Sequence, residues 1–144
     1  MELSFEQLTE DLLRREYLIW MKNYSPSMTK TRLRNTYDHN LSVAKKAYRL
    51  ARIFRANIVI STRAGLLHDC WLEKFREYSW LDRLIHNHYQ DSVLIAQEFG
   101  ENKEVLKVIR SHMFPIGPIP INKESWIVWL ADKIVATEEI FNIS

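Results

Sequence analysis

Ala64-Gly65-Leu66-Leu67-His68-Asp69 is an apolar run that ends abruptly in a histidine and an aspartate, two side chains able to ligate a cation. On a helical backbone neighbouring side chains diverge by about 100°. The two can therefore converge only on a shared partner held between packed helices, and a metal ion is the obvious candidate. The chain has five histidines, His39, His68, His86, His88 and His112. At least four lie on or beside stretches with helical apolar spacing, where a solvated surface histidine is less expected. A late acid, Asp132, sits inside Trp126-Ile127-Val128-Trp129-Leu130-Ala131-Asp132-Lys133. Burying that carboxylate alone would cost roughly several kcal/mol unless it is paired or bound to a metal. Imidazole and carboxylate together suit borderline or harder divalent ions, Fe, Mn, Co, Ni, Zn or Mg.

The ordered set His39, His68-Asp69 and Asp132, carried on helices, resembles the signature of the HD-domain superfamily of metal-dependent phosphohydrolases. Tyr37-Asp38-His39-Asn40-Leu41-Ser42-Val43-Ala44 resembles its first motif, Gly65-Leu66-Leu67-His68-Asp69 its second and Leu130-Ala131-Asp132-Lys133 its last. Ile109-Arg110-Ser111-His112-Met113-Phe114-Pro115 resembles the histidine motif of small bacterial HD proteins. With His88 and His112 between the pair and the last aspartate, the pattern is similar to the six-ligand, two-metal version.

The resemblance implies one or two divalent ions. His39, His68, Asp69 and Asp132 would hold the first, and Asp69 would bridge to a second held by His88 and His112. His86 could replace His88 as ligand or hydrogen-bond the site from behind. Asp69 and Lys133 are the catalytic candidates, with Lys133 placed to offset phosphate charge; Arg63, Lys74 and Arg110 are candidate substrate-binding cations. The implied activity is hydrolysis of a nucleotide or other small phosphorylated compound by a metal-activated water. Trp71, Tyr78, Trp80 and Phe114 could stack on a nucleobase, although core packing is the commoner use of such residues. Two other classes stay open: a di-iron oxygenase of the HD type, and a non-catalytic, metal-stabilised binding module. The chain departs from many two-metal relatives in having Leu72 where they carry a lysine.

The elements that must position these residues read as all helical, a single-domain bundle of about six helices spanning residues 1–144, with residues 35–138 as the HD core and 1–30 outside it. Ser4 caps a first helix whose apolar positions run through Phe5, Leu8, Leu12, Leu13, Tyr17 and Trp20; Asn23 to Ser27 ends it. This helix is read as a brace, with a lid or a homodimer contact as the other roles open to it. A second helix runs from Thr31 or Asn35 to Phe54, with Leu41, Ala44, Tyr48, Ala51 and Phe54 inward. Asn57 starts a third, in which Gly65 allows a close approach of another backbone or the metal site. His86-Asn87-His88 opens the next, capped by Gly100. Glu101 begins a helix through His112 and Met113. Pro115 to Pro120 is excluded from a regular helix and could wall a pocket, and the last helix covers Asn122 to Phe141.

Composition fits this reading. A chain of 144 residues with 47% hydrophobic and 26% charged residues is long enough for one core. A net charge of +2 is no argument for a nucleic-acid partner, and Lys45, Lys46, Arg49, Arg52 and Arg55 sit at spacings that suit the wet face of a helix. One cysteine, Cys70, excludes an internal disulfide; it reads as a small buried residue rather than a ligand. The start lacks a signal-peptide pattern, and no stretch reaches the ~18 apolar residues needed to span a bilayer. A cytoplasmic, membrane-free protein is expected.

Overall fold

A computed structural model describes residues 2–24, 36–70 and 89–141, and within them every regular element is a helix. In chain order these are α1 (Phe5–Leu13), α2 (Glu16–Tyr24), α3 (Thr36–Ile53), α4 (Ile58–Leu67), α5 (Tyr89–Glu98), α6 (Lys103–Ser111) and α7 (Lys123–Ile140). Helix α4 is central, packing on α1, α3, α6 and α7, while α3 also packs on α7 and α2.

The expected first helix is two. Ser4 caps α1 through a capping box with Gln7, and the chain breaks at Arg14 and Arg15 before α2 begins. Leu12 and Met21 are both fully buried, yet nine residues of straight helix would place them about 180° apart. The break lets both stripes face one core.

Local chemistry sets the other boundaries. Asn57, Asn102 and Asn122 each accept a hydrogen bond from the backbone N–H three residues on, capping α4, α6 and α7. Helix α5 ends in a Schellman turn: Gly100 has φ +82°, its N–H donates to Gln97 O, and that of Glu101 donates to Ala96 O. Helix α3 ends in the same way, with Arg55 at φ +55° where glycine is usual. Phe54, expected inward, lies just beyond this helix end and is exposed.

The crossing of α3 and α4 positions the candidate site. Helix α3 carries Ala44, Ala47 and Ala51 and α4 carries Ala64 and Gly65, all buried, and Gly65 faces the backbone at Ala44. A Cβ on Gly65 would stand 3.0 Å from Ala44 Cα and 3.3 Å from its nitrogen. The approach that Gly65 was expected to allow is therefore that of the α3 backbone, which cannot swing aside as a flexible side chain could.

Two stability measurements check these points. Gly65→Val should cost about 1–3 kcal/mol in denaturant unfolding, because it forces apart two packed backbones. Arg55→Gly should gain up to about 1 kcal/mol by relieving the left-handed conformation.

Candidate metal centre

Four helices deliver polar side chains to one buried point. His39 comes from the first turns of α3, His68 is the C-cap of α4 with Asp69 following it, His112 is the C-cap of α6, and Asp132 lies in the middle of α7. All five are buried, the three histidines to 1% exposure or less. Along α7 the buried residues Ser125, Val128, Ala131, Asp132, Val135 and Glu139 form one stripe. Helical spacing alone thus turns two acids toward the core.

The geometry is convergent. His39 Nε2 and His68 Nε2 lie 2.9 and 3.2 Å from the same oxygen, Asp132 Oδ1. The ligand atoms of His39, His68 and Asp69 all fall within 4.8 Å of one another. The His68 ring stands 5.2 Å from that of His39 and 4.9 Å from that of His112, centroid to centroid. His68 is the hub.

Ring orientation is set from behind. His68 Nδ1 donates to Gly65 O at 2.6 Å and His112 Nδ1 to Ile109 O at 2.7 Å. Both acceptors are carbonyls in the last turn of a helix, and Ile109 O also accepts the backbone N–H of His112 at 3.3 Å. A C-cap histidine can use such a carbonyl to fix its tautomer, making Nε2 the nitrogen that carries the lone pair. Lone pairs of neutral imidazoles facing one carboxylate oxygen repel unless a proton or a cation lies among them. The donor set, two imidazole nitrogens with carboxylates from Asp69 and Asp132, fits a divalent ion.

Burial pushes the carboxyl of Asp132 up, but its close polar contacts with the His39 and His68 rings and the charge at His68 and Lys133 outweigh it and hold the group well below the usual carboxylate range. Lys133 Nζ is 2.9 Å from Asp132 Oδ2 and 3.4 Å from His112 O, and it lies over the Trp129 ring. This amine is part-exposed, at the outer side of Asp132. Burial and the neighbouring Asp69 push the Cys70 thiol up. Its sulfur packs against Met21 Sδ at 3.8 Å, the position of a core residue.

One of the expected substrate cations is taken up by the fold itself. Arg63 clamps the fold: Nη1 donates to Leu8 O and Asp11 Oδ1, Nη2 to Asp11 Oδ2, and Nε to Glu101 Oε1, all between 2.8 and 2.9 Å. These bonds tie α4 to α1 and to the turn before α6, so its fork faces carboxylates rather than a substrate. Arg110 is exposed on the outer face of α6. Lys74, His86, His88, Trp71, Leu72, Tyr78 and Trp80 lie outside the described residues. Phe114 packs edge-on against Trp126, and its carbonyl accepts from Trp129 Nε1 at 2.9 Å.

Sequence reasoning missed Glu139. Its Oε1 and Oε2 lie 3.0 and 3.2 Å from His39 Nδ1, in a buried contact. The signal was present: Glu139 follows Asp132 by seven residues, about two helical turns, and so shares its face.

A family model described as HD domain matches residues 36–137. The chain belongs to the HD-domain family. HD domains bind divalent metals, and the cluster of His39, His68 and Asp69 lies inside the matched region. Among curated proteins the chain is similar to ribonuclease Y of Syntrophomonas wolfei, 31% identical over 103 residues, which are 72% of this chain and 18% of that protein. It is also similar to ribonuclease Y of Onion yellows phytoplasma, 35% identical over 78 residues, and of Thermus thermophilus, 32% over 81 residues; these cover 54% and 56% of this chain but 14% and 13% of theirs. This HD domain therefore spans less than a fifth of each of these relatives. No solved structure gives a significant match. Among the described residues no helix is long and apolar enough to cross a membrane.

The clamp separates fold from site. Arg63→Ala strands the buried Glu101 carboxylate and should lower unfolding free energy by about 3 kcal/mol, while metal bound per folded molecule, measured by equilibrium dialysis, stays the same. Asp11 is held below its ordinary value by its hydrogen bonds to Arg63, against a smaller opposing effect of burial. Its contribution is then present above an unfolded pKa of about 3.9 and lost as pH falls through the lower folded value. The gap in melting temperature between the parent and Asp11→Asn should be open at pH 7 and close toward pH 2.

Proposed function

We propose that this HD domain is a metal-dependent phosphohydrolase acting on a nucleotide or other small phosphorylated compound. The observation that supports it is the convergence of His39 Nε2 and His68 Nε2 on Asp132 Oδ1 beside Asp69. His39, His68, Asp69 and Asp132 would hold a first divalent ion, and His112, set edge-on to the His68 ring, would join His88 and Asp69 in holding a second. A divalent ion supplies Lewis acidity that polarises a phosphoryl oxygen and makes water ionise near neutral pH. The protein does the rest. Gly65 O and Ile109 O lock two imidazoles in one tautomer. Lys133, at the outer side of Asp132, offsets charge that develops on the phosphoryl oxygens. The core formed by α3, α4, α6 and α7 keeps bulk water from the ligand atoms and so strengthens every charge interaction at the site.

A second reading concerns the size of the substrate. The curated relatives quoted above are named ribonucleases, and an RNA phosphodiester presents the same phosphoryl group to the same centre. Short RNA oligonucleotides therefore belong beside mononucleotides in the assay.

With Mn²⁺ or Co²⁺ the purified protein should release phosphate or mononucleotide from at least one member of a panel of nucleotides, phosphomonoesters and RNA oligonucleotides. Turnover should vanish with EDTA and fall to background in His68→Ala and Asp69→Ala. A panel with no metal-dependent product would refute the hydrolase reading.

A further inference from the structure

The three histidines at the centre are held in two different ways. His68 and His112 each use a carbonyl of their own helix end. His39 cannot, because it lies within α3, where the carbonyls one turn back are bonded to the helix's own N–H groups. Its Nδ1 meets a carboxylate from another helix, that of Glu139, through both oxygens at 3.0 and 3.2 Å. The contact joins residues 100 positions apart, and the Glu139 side chain is 4% exposed. An acid so deeply buried costs stability unless it is compensated, and its place behind the imidazole is where a carboxylate orients a metal-binding histidine.

We propose that Glu139 is a positioning residue for the metal centre: it holds His39 in the Nδ1–H tautomer, so that Nε2 presents its lone pair to the ion, and strengthens that nitrogen as a donor. This rests on the assignment of His39 as a ligand. Glu139 touches neither the ion nor the substrate. Its part in the centre is played through His39, whereas the backbone carbonyls behind His68 and His112 carry no full charge. The centre is thereby asymmetric, with one imidazole backed by a carboxylate and the others by amides.

The test uses the full chain, its Glu139→Ala and Glu139→Gln variants, and Zn²⁺ or Mn²⁺ alone as the probe. Glu139→Ala should weaken metal binding about 10- to 100-fold, and in the metal-free protein the ¹⁵N shifts of the His39 ring should move toward the Nε2–H tautomer. Glu139→Gln keeps an oxygen that can accept from Nδ1–H, so it should retain the native tautomer and lose less affinity. The rise in melting temperature produced by the metal should shrink in the order parent, Gln, Ala; a merely structural role would lower every melting temperature and leave that rise unchanged. If Glu139→Ala does not fold, Glu139→Gln decides the matter: affinity within twofold of the parent overturns the proposal. So does an alanine variant that keeps both parental affinity and the Nδ1–H tautomer. A parent that takes up neither ion would instead overturn the metal assignment itself.

Discussion

Asp132 is a carboxylate almost wholly withdrawn from water, and the structure around it follows from the need to compensate that charge. Moving an isolated ion into a protein interior costs several kcal/mol even after relaxation. Here the compensation comes from three directions: His39 on α3, His68 at the end of α4, and Lys133 on the solvent side. No single helix could supply all of them. The α3–α4 crossing brings the two imidazoles to one oxygen, and that crossing exists because Gly65 lets the backbones approach.

Helix termini do much of the positioning. Two of the three central histidines are C-caps, where the chain leaves the helix and the final carbonyls need donors. Placing a histidine there satisfies a carbonyl and chooses the tautomer with one hydrogen bond. Asp69 follows immediately, and Ser92 of α5 donates to the carbonyl of Cys70, so the segment carrying the pair is anchored on both sides. The cations expected to meet substrate divide accordingly: Lys133 stays at the centre, while Arg63 braces α1 against α4.

The HD-domain assignment and the geometry reinforce each other at specific residues. The matched region runs from 36 to 137 and contains His39, His68, Asp69, His112 and Asp132. Glu139 lies two residues past its end, although its carboxylate reaches back to the first histidine. The matches take in 54–72% of this chain but only 13–18% of those relatives, so the resemblance concerns the domain rather than any whole protein.

Residue type and period by themselves determined that the chain is helical and where most helices start and stop, while the resemblance of its motifs to the HD signature implied which histidines and aspartates could meet. Ser4, Asn57, Gly100 and the apolar spacing are local signals, and local signals survive in a sequence read without coordinates. The tertiary structure alone decided the rest. It broke the first helix at Arg14 because Leu12 and Met21 had to face the same core. It committed Arg63 to Asp11 and Glu101, which lie 52 and 38 residues away. And it set Glu139 behind His39 across 100 residues. Each depends on which helices pack together, and long-range packing is a property of the whole chain rather than of any window in it.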